Sequence, residues 1–247
     1  MSRVVFGAMA LALLATAVPA MAEDRSSGER LAGAGSFEFQ MGPYRPMIDA
    51  GPFTTLPPGE LPPWESSFGN SRRWLFKLHG GKALVRGYGT LELGGGVGYM
   101  RANGHGRFAD GTVSQERTTF TLVPLALDLT YRLDLVWERL GVPLVPYGRL
   151  SLLRDQWWVT GSGGKSSMSG ATNGWGWSGG LGLVLDFIDP ILTRELDRDT
   201  GIKHTMLTFE VQQATVNDFG AKKNGVATSW DLSNDGLMMS FGLLFAF

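Results

Sequence analysis

The sequence predicts an all-β fold, an eight-stranded antiparallel transmembrane up-and-down β-barrel with one short periplasmic helix. Three observations predict it. Large apolar residues recur at every second position in segment after segment, the intervening positions are small or polar, and the chain closes on an alternating strand that ends in Phe247. Alternate residues of a strand point to opposite faces, so each such segment has one greasy and one wet face. A soluble sandwich also alternates, but its exposed faces carry polar residues of ordinary size. Here the wet faces are mostly Gly, Ala, Ser and Thr with a few charges, which suits a narrow interior with lipid outside.

Composition narrows the class. The 247 residues are 43% hydrophobic and 18% charged, with 35 Gly and no Cys, which is too apolar for a disordered chain and excludes disulfide or zinc-thiolate chemistry. Lys and Arg number 22 against 23 Asp and Glu, so the basic balance of a nucleic-acid binder is missing. Residues 1–22 read as a cleavable signal peptide: Arg3, an apolar run from Val4 to Val18, then Ala20-Met21-Ala22 before Glu23-Asp24. Residues 23–34 form a short periplasmic segment and 35–247 the barrel. Past Ala22 no run of 18 apolar residues occurs, since Asp128 and Arg132 interrupt the best candidate, Leu122 to Val136.

The eight strands are expected at 35–44, 73–80, 86–103, 117–134, 144–160, 174–187, 203–217 and 236–247. Phe37, Phe39 and Met41 oppose Glu38 and Gln40 in the first; Trp74, Phe76 and Leu78 oppose Lys77 and His79 in the second. The third sets Leu91, Leu93, Val97 and Tyr99 against Glu92 and glycines. In the fourth, the odd positions from Val123 to Leu133 are apolar and the even ones include Asp128, Thr130 and Arg132. The fifth alternates less cleanly, with Tyr147, Arg149 and Ser151 on one side, and its phase slips past Arg154, as at a bulge. The sixth carries Trp175, Trp177, Leu181, Leu183, Leu185 and Phe187 on one face; the seventh carries Leu207, Phe209 and Val211 against Thr208, Glu210 and Gln212.

An even strand count leaves both termini in the periplasm. The outer connections are then 45–72, 104–116, 161–173 and 218–235, and the inner ones 81–85, 135–143 and 188–202. The third inner connection reads as the helix, with Asp189 as N-cap, Pro190 in the first turn and Gly201 past the end. The first outer loop, rich in Pro and Gly with Pro57-Pro58 and Pro62-Pro63, reads as an extended surface loop. Trp74, Tyr99, Trp157, Trp158, Trp175 and Trp177 fall at outer strand ends, and Phe37, Tyr88, Tyr131, Phe187 and Phe247 at inner ends, as two membrane-interface girdles.

Eight charged residues fall on predicted inward faces: Glu38, Lys77, Glu92, Asp128, Arg132, Arg149, Asp186 and Glu210. Side chains fill the lumen of an eight-stranded barrel, and buried charges must pair, so these residues are expected to form a polar network that plugs it. Motifs that look catalytic lie in the wrong context. Gly176-Trp177-Ser178-Gly179-Gly180 matches a nucleophile elbow, and 174–179 a dinucleotide loop, but both sit inside one alternating strand where a strand-to-helix turn is required. Three His, at 79, 105 and 204, show no paired ligand spacing. No cofactor, metal site or catalytic residue is expected.

The terminal strand, with Met239, Phe241, Leu243, Phe245 and Phe247 on one face, resembles the last strand of bacterial outer-membrane barrels. That resemblance implies that the barrel-assembly machinery reads Phe241, Leu243, Phe245 and Phe247. Further runs include Gly42-Pro43-Tyr44-Arg45-Pro46-Met47-Ile48-Asp49, Pro63-Trp64-Glu65, Phe68-Gly69 and Gly96-Val97-Gly98-Tyr99. With them go Val142-Pro143-Leu144-Val145-Pro146-Tyr147, Trp157-Trp158, Trp175-Gly176-Trp177 and Leu185-Asp186-Phe187. Together these look like an uncharacterised family of outer-membrane β-barrel proteins of myxobacteria-like Gram-negative bacteria, a likeness spanning about Phe37 to Phe247. It implies fold and location and no activity.

The expected function is therefore a structural or interaction role in the outer membrane. The expected contacts are outer-membrane lipid, the assembly machinery and a periplasmic or extracellular protein. One alternative is a lipid-modifying enzyme, which would need His105 with Ser114 or Ser151 near the outer leaflet. Another is a small-solute channel, which would need an open lumen.

Overall fold

The computed structural model describes residues 35–50, 61–107, 112–161, 166–188, 190–223, 226–227 and 229–247. The predicted signal peptide, the segment 23–34, Pro57-Pro58 and Asp189 lie outside the described residues. Eight strands close a barrel: β1 (Gly35–Tyr44), β2 (Arg73–Arg86), β3 (Thr90–Arg107), β4 (Val113–Arg132), β5 (Leu144–Thr160), β6 (Ser166–Val184), β7 (His204–Val216) and β8 (Met238–Ala246). Each strand pairs antiparallel with its sequence neighbour, and β8 closes on β1 with Phe37 opposite Phe245 and Met41 opposite Phe241. No barrel edge is left to pair with another chain. Lys222–Lys223 and Val226–Ala227 form a separate small hairpin in the last outer loop.

Strand boundaries differ from the expected ones where glycine or a bulge masks the period. β2 runs through 81–85, the segment expected as a loop, and the turn falls at Gly87-Tyr88-Gly89; a bulge between Ala83 and Val85 breaks the alternation there. β6 begins at Ser166, because its outer half is small and polar and carries no apolar beat. The connection 135–143 holds a helix, α2 (Leu135–Leu140), which ends on Gly141 at φ 64°. The helix expected in the third inner connection is present as α3 (Pro190–Thr200) with Gly201 at φ 74° after it. Among the described residues no helix is long and apolar enough to cross a membrane.

The wall is uneven. β3, β4, β5 and β6 have 18, 20, 17 and 19 residues, while β1 and β8 have 10 and 9. At the outer end four strands therefore stand above the rest. The described part of the first long loop, 45–50 and 61–72, expected as extended and superficial, folds instead into the mouth bounded by this wall. It forms a 3-10 turn at Ile48–Ala50 and a helix, α1 (Pro63–Phe68), with Pro63 at its first position. Ile48, Trp64 and Phe68 explain the difference, since such a loop gains more by burying them than by staying in water.

Trp64 is 1% exposed, 4.7 Å from Phe68 and edge-on to Phe120 at 5.2 Å between ring centres. Trp230 of the last loop lies flat on Trp157, 4.1 Å away. These rings join Tyr44, Leu75, Met100, Leu122, Leu232 and Met238 in an apolar lid. Polar bonds pin it: Trp64 N–H donates to Asp49 Oδ1 at 2.8 Å, Met47 N–H to the Ser233 carbonyl at 2.9 Å, and Tyr44 Oη–H to the Leu232 carbonyl.

Gly104 of β3 meets α1 without a side chain between them. A Cβ there would lie 1.9 Å from the Ser67 carbonyl oxygen. Gly104→Val is expected to push α1 out of the mouth, shifting tryptophan emission to longer wavelength as Trp64 meets water. Unchanged emission and unchanged protease resistance of 61–69 would refute this docking.

Candidate functional site

The alternation that aims apolar residues outward sends every second residue of each strand into a narrow lumen. Its contents are layered. At the end that holds both barrel termini Val145, Val184, Met206, Leu244 and Ala246 form an apolar floor, with Trp137 of α2 packed against it. The lid closes the other end. Between them lie the charged side chains.

Arg149 occupies the centre. Its Nη2 donates to Glu38 Oε2 at 2.5 Å, its Nη1 to Glu210 Oε2 at 3.2 Å and its Nε to Thr130 Oγ1 at 3.1 Å. The two carboxylates are held from their other sides. Thr208 Oγ1 and Gln40 Nε2 donate to Glu38 Oε1 at 2.7 and 2.8 Å, while Lys77 Nζ lies 3.6 Å from Glu210 Oε1 and donates to Gln212 Oε1 at 2.6 Å. Arg132 grips Glu92 with two parallel bonds of 3.1 and 2.7 Å, and Ser36 Oγ adds a third donor to Glu92 at 2.8 Å. His79 Nδ1 and Ser151 Oγ bracket Asp128, at 2.7 and 2.6 Å. Forked guanidinium bonds satisfy both oxygens of a carboxylate at once, which is the geometry that buried charges need. Gly96 makes room for one pair, since a Cβ there would lie 2.6 Å from His79 Nδ1.

Seven of the eight charged residues singled out from the sequence thus meet in the lumen. Asp186 does not. β6 ends at Val184, so Asp186 sits in the turn below it, where its carboxylate bonds His204 Nδ1 and the Thr205 N–H. The two-residue beat ran to Phe187 in the sequence, but the backbone leaves the sheet three residues earlier. The sequence reading placed His79 opposite the apolar face of the second strand but left it out of the network, and it left out the neutral partners Gln40, Thr130, Ser151, Thr208 and Gln212. Each shares the inward parity of a charged neighbour, and that was the available signal.

The aromatic residues divide as well. Trp74, Tyr99, Trp175 and Trp177 face outward on the upper barrel and are about half exposed, with Trp158 above them partly covered. Tyr131 lies near the inner end of β4, Phe187 in the turn beneath β6, and Phe247 just past β8, where its N–H donates to the Gly35 carbonyl. Phe241 and Leu243 face outward on β8. Trp157 is not an interface residue: it points inward, 7% exposed, beneath the lid. No phase slip occurs at Arg154. β5 keeps one register against β4 from Tyr147 to Thr160 and against β6 from Leu144 to Val159, and its alternation blurs because Leu153 and Trp157 point into the lid while Arg154 and Gln156 point out.

The pair His105 and Ser151, raised as an enzyme constellation, is separated. Ser151 lies in the lumen on Asp128, and His105 is exposed on β3 beyond the barrel core. The side chain of Ser114 lies outside the described residues. The elbow-like motif 176–180 runs within β6. Among the described residues no cluster of three His, Asp or Glu could hold a metal.

Below the strands, Asp134 precedes α2 and is 3% exposed, accepting from Thr90 Oγ1. Burial pushes its carboxyl up from the ordinary value, against the Thr90 bond and the Arg132 charge. A carboxyl raised in the folded state favours folding while protonated and loses that contribution as pH rises through its folded value. Asp134→Asn is therefore expected to raise the denaturant midpoint at about pH 7 and leave it unchanged near about pH 3. An equal shift at both would assign the gain to something other than this carboxyl.

No family model matches the chain, and no curated protein sequence does. In fold it is similar to Neisserial surface protein A, with 14% identity, 86% of this chain and 96% of that chain covered, and a TM-score of 0.46. The outer membrane protein OprG of Pseudomonas aeruginosa is similar at 11% identity, with 87% and 97% covered and a TM-score of 0.44. Ail, the attachment invasion locus protein of Yersinia pestis, is similar at 10% identity, with 87% and 99% covered and a TM-score of 0.38.

Proposed function

We propose that this chain is an integral protein of the bacterial outer membrane, a closed barrel that does not conduct and that acts through its outer wall as a structural or interaction protein. The observation that carries the reading is the reversal of an ordinary globule. Phe76, Leu127, Leu150, Leu181, Phe209 and Phe241 are 41–58% exposed around the outside, while Glu38, Glu210 and Arg132 are each 1% exposed within. A soluble monomer does not carry a continuous apolar girdle of that kind, and a bilayer requires it. Trp74, Tyr99, Trp175 and Trp177 fit the upper interface and Tyr131 and Phe247 the lower one.

Two apolar layers and an ion-paired layer stacked in the lumen favour a closed barrel over a solute channel. A plug and a tall wall of four strands suit presentation of a surface more than transport. Lipid would contact the girdle, and the assembly machinery would read the β8 face of Phe241, Leu243, Phe245 and Phe247.

The test combines fractionation with protease treatment of intact cells expressing the full chain. Recovery in the outer membrane, with cleavage confined to the outer loops, is expected; recovery as a monomer soluble without detergent would overturn the reading. Unit currents from the purified protein in planar bilayers would replace it with the channel. A change in lipid A mass on expression would replace it with the enzyme.

A further inference from the structure

The carboxylates of the lumen have basic partners, with one exception. Glu38, Glu92, Asp128 and Glu210 are matched by Lys77, His79, Arg132 and Arg149. Asp155 is left over. It lies on β5 two turns of the pleat above Ser151, is 4% exposed, and its carboxyl makes no ion pair or hydrogen bond among the described residues; Oδ1 is buried without a partner. One position further along the same face, Trp157 Nε1 is also buried and unpartnered.

Both residues belong to the zone between the polar network and the lid, and Asp155 lines a cavity there. The cavity gives about 50 Å³ to the centres of water molecules, room for about three or four of them. Tyr44, Leu75, Leu122, Leu153 and Met238 supply the apolar part of its wall. A carboxyl group buried without a partner is costly, and most so when it is ionised. This one faces empty space of molecular size.

We propose that the cavity beneath the lid binds a small alkylammonium cation, with Asp155 as its counter-ion. A bare metal ion fits poorly, because hard cations seek six or so oxygen ligands and, of the two carboxylates on this wall, Glu210 is already taken by Lys77 and Arg149 at its lower end, which leaves Asp155 alone. An ammonium head needs one anionic acceptor, and a short alkyl tail uses the apolar wall. The Tyr44 ring lines the same space and adds aromatic surface of the kind that favours a cation. Entry is through the outer mouth, past α1 and the Trp230 segment. The inference needs only the closed, layered lumen, so it and the membrane reading can fail separately.

The experiment titrates the full chain in detergent micelles with n-propylammonium chloride, 1-propanol and potassium chloride in parallel, following near-ultraviolet circular dichroism of the stacked Trp157 and Trp230. A saturable change with propylammonium alone is expected, and Asp155→Asn should weaken it by roughly thirtyfold or more. Leu153→Trp, which fills the cavity and keeps the carboxylate, should abolish it. The second variant keeps the test decisive should the first not fold. Equal response to propanol, equal response to potassium, no saturable response, or undiminished binding by a folded Asp155→Asn would each overturn the proposal.

Discussion

Arg149→Met is expected to destabilise the barrel by about 3–5 kcal/mol, the cost of breaking a buried ion pair from one side. The side chain is 6% exposed and spans β1 and β7 by holding Glu38 and Glu210 at once. Methionine fills much of the same volume, so the loss is one of charge compensation and not of packing. Two carboxylates that share one guanidinium then face each other with Lys77 alone nearby. The denaturant midpoint in micelles measures the effect. Glu38→Gln combined with Arg149→Met should recover much of it, because the orphaned charge is then gone, and the non-additivity of that cycle reports the coupling. Arg149→Lys should fall between, since an ammonium cannot make the fork to two carboxylates and also reach Thr130. A midpoint for Arg149→Met within about 1 kcal/mol of the parent would mean that water compensates the carboxylates, and that the lumen is wetter than its geometry implies.

The barrel itself was legible because a strand writes its two faces directly into alternate residues. From Val123 to Arg132 every residue faces the way its parity says, and β1 and β5 have the expected ends. Legibility failed where the rule linking polarity to direction changes. In the middle of the lumen inward means polar; at the floor and beneath the lid inward means apolar, as at Val145 and Met206 below and Leu153, Trp157 and Phe120 above. A reader holding the first rule sees a phase slip at Arg154 where the backbone has none. The lid was hidden for a related reason. Pro and Gly in 45–72 mark an irregular segment correctly, but irregular backbone can still bury a tryptophan, and nothing local to Pro63-Trp64-Glu65 says against what. Pairings were out of reach in the same way. The inward set of charges follows from parity, but that Arg149 takes Glu38 and Glu210 while Arg132 takes Glu92 depends on strand stagger. The sequence of one chain does not state that stagger. Asp155 shows the converse, an acid at an inward position with no base opposite it, visible only once every other charge has found its partner.

Trp64→Ala is expected to cost about 3–5 kcal/mol at the lid, the range for emptying a large aromatic site, and to leave the barrel standing. Trp64 packs on Phe68 and Phe120 within the apolar cluster of the lid, so what it stabilises is local closure of the mouth and not the sheet. Hydrogen exchange should therefore rise in α1 and in the segment around Trp230 while the amides of β1, β7 and β8 keep their protection. Current through the protein should stay absent. Below the open lid, Arg149 still spans the lumen between Glu38 and Glu210, and beneath it Val145, Val184, Met206 and Leu244 with Trp137 of α2 still form an apolar floor. Three barriers in series conduct only when all three are breached. Trp64→Ala combined with Arg149→Ala and Met206→Ala is thus the lowest combination expected to pass ions in planar bilayers. Steady unit currents from Trp64→Ala alone would show that the lid is the only seal and that the ion-paired layer is a hydrated conduit.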